Sequence, residues 1–175
     1  MTPFSWPAPL VATIVVSASM ALEAWRSASN ERWLLQRGAR IVPDPSFPSM
    51  RVAYPLGFGL VIAEGWWRGA PWSRWAFVGL SLLLLGKAVK CAAIATLGRR
   101  WSFRVLVRPG EPLVSRGIYA WLRHPNYVGV VGEVIGIGVW MQAPITGTLF
   151  AVTFGSILLW RIRVEECALA LASRR

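Results

Sequence analysis

Five long apolar stretches leave this 175-residue chain few ways to fold. Each approaches the roughly 20 consecutive apolar residues that an α-helix needs to cross the hydrocarbon core of a bilayer. Helices satisfy all their backbone hydrogen bonds internally, which is why they can cross lipid. The stretches cover residues 8–25, 52–67, 75–97, 127–143 and 145–163. The sequence therefore predicts an all-α, polytopic integral membrane protein with about five transmembrane helices, forming a single membrane domain over residues 1–175.

The composition agrees with a membrane setting and argues against a nucleic-acid partner. Only 15% of the residues are charged, whereas soluble domains carry roughly a quarter. The net charge of +11 would suggest nucleic acid in a soluble protein, but the arginines here flank apolar stretches, where anionic lipid headgroups are the simpler partner. Eleven tryptophans, mostly near the ends of those stretches, match an interfacial aromatic belt. The two cysteines, Cys91 and Cys167, indicate neither a metal site nor a disulfide framework.

The distribution of lysine and arginine predicts how the helices are oriented. Most of the 19 basic residues lie in residues 26–51, in residues 98–126 and from Arg161 onward. Arg68 and Arg74 lie in the loop between the second and third apolar stretches. The positive-inside rule places the three basic segments in the cytosol, with the N-terminus outside and the C-terminus inside. Because the first nine residues carry no basic side chain, the first stretch is expected to be a retained anchor rather than a cleaved signal peptide.

The segment that leads into the fourth apolar stretch reads RHPNYVG, residues 123–129. Proline is favoured at the first helical position, so Pro125 is predicted to begin the fourth helix with His124, the only histidine of the chain, at its cap. A helix N-terminus offers free N–H groups and a positive dipole end, which together suit an anion. The alternative is that His124 is an interfacial residue beside a helix start and has no role in binding or catalysis.

A second polar cluster, RIRVEE at residues 161–166, ends the fifth apolar stretch. Arg161 and Glu165 are four residues apart and share a helix face, which also suits a snorkelling, salt-bridged helix end. Adjacent carboxylates at a membrane boundary are nevertheless costly without partners or a ligand. A tight connection at Pro144 makes the fourth and fifth helices neighbours, so both clusters are expected at one depth on the cytosolic side.

Charged residues inside the apolar stretches predict a contact between the third and fourth helices. Lys90 and Glu133 lie at similar depth, and Lys87 shares a helix face with Lys90. A structural ion pair is the first interpretation, and a polar substrate pocket is the second. The small residues that predict close packing of the fourth helix, or room for a ligand, are Gly129, Gly132 and Gly136.

In this order, the motifs resemble the isoprenylcysteine carboxyl methyltransferase family of integral-membrane methyltransferases. The matching segments are LGRRWS at 97–102, LVSRGIY at 113–119, RHPNYVG and RIRVEE, and the resemblance covers about the last eighty residues strongly. Residues 28–40 are similar to a bacterial branch whose members accompany type III polyketide synthases and O-methylate alkylpyrones or alkylresorcinols. The resemblance implies a lipophilic acceptor, methylated on a carboxyl, enol or phenol oxygen, with an alkylpyrone-type polyketide or a prenylated substrate as candidates. It also implies a bacterial plasma membrane, in which the distribution of lysine and arginine predicts an active site that faces the cytosol.

The resemblance further implies S-adenosyl-L-methionine as cofactor, bound by residues 98–129 together with residues 161–167. The residues it assigns to cofactor binding are Arg123, His124, Pro125, Tyr127, Gly129, Glu165 and Glu166. Those it assigns to catalysis are His124, Glu165 and Arg161. An ionised enol or carboxylate needs little base, whereas a phenol would need His124 or a glutamate as general base.

Three other functions remain open from the sequence. A phospholipid N-methyltransferase shares the cofactor and the architecture. A membrane reductase of the sterol-reductase type shares the C-terminal layout but uses NADPH and has additional spans. A non-enzymatic structural or assembly protein of the membrane would bind no cofactor at all.

Overall fold

Five α-helices form the body of the computed structural model, which describes residues 6–108, 111–112 and 114–172, with side chains up to residue 168. The helices are α1 (Ala8–Leu35), α2 (Phe47–Trp67), α3 (Arg74–Leu97), α4 (Pro125–Trp140) and α5 (Pro144–Ala172). Short 3-10 helices occupy Gly98–Arg100 and Gly117–Ala120, and strands β1 (Arg40–Ile41) and β2 (Leu106–Val107) pair antiparallel. The predicted helical architecture is confirmed, with this pair of two-residue strands as the only sheet in the described part of the chain.

Three of the helices are long and apolar enough to cross a membrane. By length and composition these are Ala8–Leu35, Arg74–Arg100 and Pro144–Ala168. The prediction of a helical membrane protein is therefore confirmed. α4 has 16 residues, or about 24 Å of helix, which is shorter than the ~30 Å hydrocarbon core. The crossing of all five helices and their orientation stay predictions.

Two helices, α1 and α5, continue beyond the C-terminal ends of the predicted apolar stretches, and α2 begins five residues before its stretch. α1 continues to Leu35 and ends just before Gly38, whose φ of 81° is a left-handed conformation that suits glycine. α5 continues past residue 163 to Ala172, because no glycine or proline follows Gly155 to interrupt it. The RIRVEE segment is therefore helical throughout, so its side chains are held in a fixed order around α5.

Glycines bring α3 and α4 into close contact. A Cβ atom at Gly136 would lie 2.5 Å from the backbone nitrogen of Leu83, and one at Gly129 would lie 2.7 Å from the carbonyl oxygen of Gly86. Larger residues at these positions would force the two helices apart. The close packing predicted for the glycines of the fourth helix is thus confirmed, and the space beside them is filled by α3.

Glu64, near the end of α2, forms hydrogen bonds with the first turn of α5. Its carboxylate accepts hydrogen bonds from the backbone nitrogen and the hydroxyl of Thr146, at 2.7 and 2.6 Å, and pairs with Arg68 at 2.7 Å. A carboxylate at a helix N-terminus satisfies free N–H groups and faces the positive end of the helix dipole. The sequence interpretation missed this role of Glu64, which fixes the α4–α5 connection.

The two long polar segments, residues 36–46 and 98–124, meet at the other end of the bundle. Pairing of β1 with β2 joins them directly. In addition, the side chain of Asn30 on α1 donates hydrogen bonds to the carbonyl oxygens of Gly98 and Trp101, at 3.2 and 2.8 Å. The C-terminal ends of α1 and α3 are therefore held side by side. This end of the molecule, the loop end, contains the predicted site.

Candidate functional site

A polar cavity lies at the loop end, between the segment that follows α3, the beginning of α4 and the C-terminal part of α5. Its described lining is Leu97, Arg100, Trp101, Ser102, Arg104, Val105, Leu106, Tyr119, Arg123, His124, Asn126, Tyr127, Arg161 and Glu165. The predicted site residues among them are Arg123, His124, Tyr127, Arg161 and Glu165. RHPNYVG and RIRVEE therefore meet in space, as the sequence predicted.

The beginning of α4 agrees with the prediction from its proline. The helix starts at Pro125, and His124 takes the cap position. The His124 side chain does not cap the helix; instead its Nε2 atom lies 3.0 Å from Oε1 of Glu166. The imidazole nitrogen thus contacts α5 rather than the free N–H groups at the start of α4.

Tyr127 joins the two clusters. Its hydroxyl donates a hydrogen bond to Oε2 of Glu165 and accepts one from Nε of Arg161 at 3.3 Å. Its ring stacks on the imidazole of His124, with 5.6 Å between ring centroids. The resemblance assigned Tyr127 to cofactor binding, and the structure also places it in contact with both polar clusters.

Arg161 contacts protein groups through all three guanidinium nitrogens. Nη2 donates to the carbonyl oxygen of Phe103 at 2.6 Å, Nη1 forms an ion pair with Asp44, and Nε reaches Tyr127. Only 4% of Arg161 is exposed. The sequence placed Arg161 and Glu165 on one helix face, and in the folded chain the hydroxyl of Tyr127 lies between them. Arg161 thereby connects both polar loops to α4 and α5.

Asp44, the acidic partner of Arg161, was missed by the sequence interpretation. It lies in the first polar loop, and its Oδ1 atom accepts hydrogen bonds from the backbone nitrogen and the hydroxyl of Ser46, at 3.0 and 2.6 Å. The sequence signal was the PDPS segment, because an aspartate two residues before a serine is typical of an Asx turn. That signal predicts the turn but not the distant arginine, since only the fold brings them together.

The remaining polar lining combines arginines with a neutral phenol. Arg100 pairs with Glu111 at 2.6 Å. Burial and, to a smaller extent, the nearby Glu165 carboxylate raise the pKa of Tyr119 to about 12. The Tyr119 hydroxyl therefore stays protonated at neutral pH and can serve as a hydrogen-bond donor. Guanidinium, carboxylate, imidazole and phenol groups thus converge on one cavity.

Three of the predicted site residues lie outside this lining. Pro125 is fully buried at the beginning of α4, and Gly129 packs against Gly86 of α3. Glu166 has a half-exposed side chain and reaches the cavity only through its contact with His124. Direct contact of these three residues with a cofactor stays a prediction. The contacts that the structure shows for them stabilise the first turn of α4 and its packing on α3.

The predicted ion pair inside the helix bundle is confirmed and belongs to a larger group. Lys90 and Lys87 lie 3.5 and 3.2 Å from Oε2 of Glu133, a side chain with no exposed surface. Glu23 on α1 pairs with Lys87 at 2.7 Å and with Lys90 at 2.6 Å, and the Tyr54 hydroxyl on α2 donates to Glu133. We call these five residues the deep cluster. The sequence interpretation missed Glu23 and Tyr54, although Glu23 is the only carboxylate of the first apolar stretch.

Comparison with known proteins gives a family and several relatives. A family model described as the isoprenylcysteine carboxyl methyltransferase (ICMT) family matches residues 78–171. The uncharacterized protein YpbQ of Bacillus subtilis is 32% identical over 161 residues, which cover 91% of this chain and 94% of that protein. Protein-S-isoprenylcysteine O-methyltransferase B of Arabidopsis thaliana is 34% identical over 90 residues, or 50% of this chain. The human protein-S-isoprenylcysteine O-methyltransferase is 34% identical over 93 residues, or 52% of this chain.

The match to the two named methyltransferases is partial. It covers 46% of the length of the Arabidopsis protein and 33% of the human one. No solved structure matches this chain. The residues matched by the family model include α4, α5 up to residue 171 and the cavity-lining part of the second polar segment, but not Asp44 or the first polar segment.

Proposed function

The chain belongs to the isoprenylcysteine carboxyl methyltransferase family, and from this premise we propose that it transfers a methyl group from S-adenosyl-L-methionine to an oxygen atom of a lipophilic acceptor. The observation that carries the proposal is the junction of α4 and α5 at the polar cavity. There, His124 and Tyr127 contact Glu166 and Glu165, all within the residues that the family model matches. Together with the three apolar helices, this makes the chain a helical membrane protein of a methyltransferase family.

The arrangement of helix ends supports five membrane crossings. α1, α3 and α5 are the helices long and apolar enough to span, and their C-terminal ends meet at the loop end through Asn30 and Arg161. If all three cross in the same direction, the chain must return twice, and α2 and α4 are the helices available for that. We propose that the loop end faces the cytosol, as the basic residues there favour, in a bacterial plasma membrane.

The cavity lining suits the charges of S-adenosyl-L-methionine. The amino-acid part of that molecule carries a carboxylate and an ammonium group beside a positive sulfonium. The guanidinium of Arg123 and the positive dipole end of α4 can hold a carboxylate, and Glu165 can hold a cationic group. We therefore assign cofactor binding to residues 98–129 together with residues 161–167.

The protein's own part in the reaction is chiefly positioning. When bound, the cofactor supplies a methyl group on a sulfonium that is already reactive, so alignment of the acceptor oxygen with that methyl group dominates. An acceptor enol or carboxylate is largely ionised near neutral pH. A phenol needs a base, and His124 is the best placed, because Glu166 at 3.0 Å would stabilise the imidazolium that forms.

The acceptor is proposed as a class. The resemblance to the bacterial branch favours an alkylpyrone or alkylresorcinol, whereas the names of the Arabidopsis and human relatives favour a prenylated cysteine. Both are amphiphiles whose reactive oxygen sits at one end of an apolar tail. Such a molecule can leave its tail among the helices while its head reaches the loop end.

The test is binding and methyl transfer by the purified full chain in lipid nanodiscs. Titration calorimetry with S-adenosyl-L-methionine measures binding, and cofactor labelled in its methyl group reports transfer to an alkylresorcinol, an alkylpyrone, a prenylcysteine and total lipids. We expect binding that is weakened by Arg123→Ala but unchanged in Arg116→Ala, a matched control on an exposed arginine of the same segment. Labelled phospholipid as the main product would favour the N-methyltransferase, NADPH binding alone the reductase, and no binding of either a non-enzymatic protein.

Orientation is tested separately by cysteine labelling in intact cells. In a chain whose own cysteines are replaced by serine, Pro45→Cys and Arg116→Cys should be labelled only by reagents that cross the membrane. Gly69→Cys, at the opposite end of α2, should be labelled from outside. Labelling of position 45 or 116 by an impermeant reagent would contradict a cytosolic site.

A further inference from the structure

We propose that Asp44 is a positioning residue of the site, which sets the orientation of Tyr127 and Glu165 through Arg161; this rests on the proposed methyl transfer. Asp44 lies in the first polar segment, outside the residues that the family model matches and outside the described cavity lining. Only 5% of its side chain is exposed. A buried carboxylate in a surface loop requires an explanation, because an unpaired buried charge is strongly unfavourable.

An unbroken series of polar contacts leads from this loop to the cavity. Asp44 is held by two hydrogen bonds from Ser46 and forms an ion pair with Nη1 of Arg161. Nε of Arg161 donates to the Tyr127 hydroxyl at 3.3 Å, and that hydroxyl donates to Glu165, which lines the cavity. Each link joins a different structural element: the first loop, α5, and the first turn of α4.

The shape of the guanidinium makes the orientation specific. Its nitrogens lie in one rigid plane, so fixing two of them fixes the direction of the third. Asp44 holds Nη1, and the carbonyl oxygen of Phe103 holds Nη2. Nε is then directed at Tyr127 without rotational freedom.

The direction of Nε decides where the Tyr127 proton points. A phenolic hydroxyl has one proton, so a hydroxyl that accepts from Arg161 must donate elsewhere, and Glu165 is its acceptor. Glu165 is thereby held by a neutral donor and keeps its negative charge for a cationic ligand group. Without Asp44, Arg161 could instead pair directly with Glu165 one helical turn away, which would neutralise that carboxylate.

Asp44→Asn tests this inference, because it keeps the side-chain shape and the acceptor for Ser46 but removes the charge. We expect the dissociation constant of S-adenosyl-L-methionine to rise about tenfold, the size typical of one lost charged hydrogen bond. Asp44→Glu should recover part of the affinity. In a chain that already carries Glu165→Gln, Asp44→Asn should have little further effect, since both act through the same carboxylate.

Glu64→Gln is the matched control. It also removes a buried, hydrogen-bonded carboxylate that contacts α5, but at the end of the bundle away from the cavity. We expect it to lower the midpoint of thermal unfolding as much as Asp44→Asn does, with cofactor affinity unchanged. If Asp44→Asn lowers thermal stability while affinity and turnover stay at wild-type values, Asp44 only stabilises the loop and the inference is overturned.

Hydrogen–deuterium exchange separates this inference from the proposed function. Without any ligand, Asp44→Asn should speed amide exchange in residues 103–107 and 124–128, whereas Glu64→Gln should not. A wild-type chain that binds no cofactor but shows this exchange pattern contradicts methyl transfer and retains the positioning role. Unchanged exchange in Asp44→Asn contradicts the positioning role, whatever the activity.

Discussion

Two polar groups, the deep cluster and a loop-end network formed by Asp44, Arg161, Tyr127 and Glu165, contain the same kinds of side chain but differ in what surrounds them. In each, a tyrosine hydroxyl lies between a carboxylate and a cation: Tyr127 between Glu165 and Arg161, and Tyr54 between Glu133 and Lys90. The deep cluster lies among the helices, with Glu133 fully buried, whereas the loop-end network borders a cavity and continues to His124 and Glu166.

The difference shows how one polar arrangement can serve packing in one place and ligand binding in another. Carboxylates and ammonium groups among helices are tolerated when they satisfy one another, and the deep cluster joins side chains of α1, α2, α3 and α4 in this way. At the loop end, charged groups such as Glu165 also face open space, where a ligand can take their remaining hydrogen bonds. We therefore expect changes in the deep cluster to affect folding and changes at the loop end to affect function.

The largest expected effect is that of Glu133→Leu in the deep cluster. Removal of this buried carboxylate leaves two lysines to share Glu23, and breaking a buried pair costs about 3–5 kcal/mol of the free energy of unfolding. Thermal unfolding in detergent and the yield of folded protein measure it, with Ile135→Ala, an exposed residue of α4, as the control. Turnover per folded molecule should stay near wild type. Full stability with lost turnover would place the deep cluster in the active site and remove the contrast.

The next effect is that of Glu165→Gln and Glu166→Gln at the loop end. Each keeps the side-chain shape but removes a charge, that of Glu165 in the cavity lining and that of Glu166 beside His124. We expect methyl transfer to fall about 100-fold or more. Thermal unfolding should change little, in contrast to Glu133→Leu. The measurement is initial rate at matched amounts of folded protein. Wild-type rates in both variants would mean that these carboxylates form only a solvated helix end.

His124→Ala should weaken cofactor binding rather than folding. Loss of a hydrogen bond to a charged ligand group costs roughly 1.5–3 kcal/mol, about 10- to 150-fold in dissociation constant. Asparagine can replace one of the imidazole hydrogen bonds, so His124→Asn should fall between alanine and wild type. Calorimetry with S-adenosyl-L-methionine provides the measurement.

The same variants distinguish a second role for His124. If the imidazole acts as the general base, cofactor affinity survives in His124→Ala, turnover collapses, and a more acidic acceptor restores it. A variant with normal binding and normal turnover would show that His124 is only interfacial, and would remove the main residue-level support for the site.

The smallest effect is expected from Tyr119→Phe. A pKa of about 12 keeps the phenol neutral, so the variant should leave the shape of the pH–rate profile between about pH 6 and 9 unchanged. Because this pKa is raised in the folded state, the phenol costs the wild type stability relative to Tyr119→Phe only as pH rises above the ordinary value near 10 towards 12. A pH–rate limb that disappears in the variant would instead make Tyr119 an acid or base of the reaction.

Sequence patterns determined the helices and the meeting of the two polar motifs, because these features depend on residues that lie close together along the chain. Apolar length predicted the helices, Pro125 predicted the start of α4, and the short connection at Pro144 predicted that RHPNYVG meets RIRVEE. The spacing of Lys90 and Glu133 within their stretches likewise predicted the pair at similar depth. Each of these inferences needs only helical geometry and the reach of one side chain.

Tertiary structure alone decided the partners that come from distant segments. Asp44 pairs with Arg161 across more than a hundred residues of sequence, and Glu23 joins Lys87 and Lys90 from another helix. Such pairs depend on how helices rotate and how loops fold over them, which is set by packing, including the glycine contacts between α3 and α4. A sequence shows that a buried charge needs a partner, but only the packed chain selects which residue supplies it.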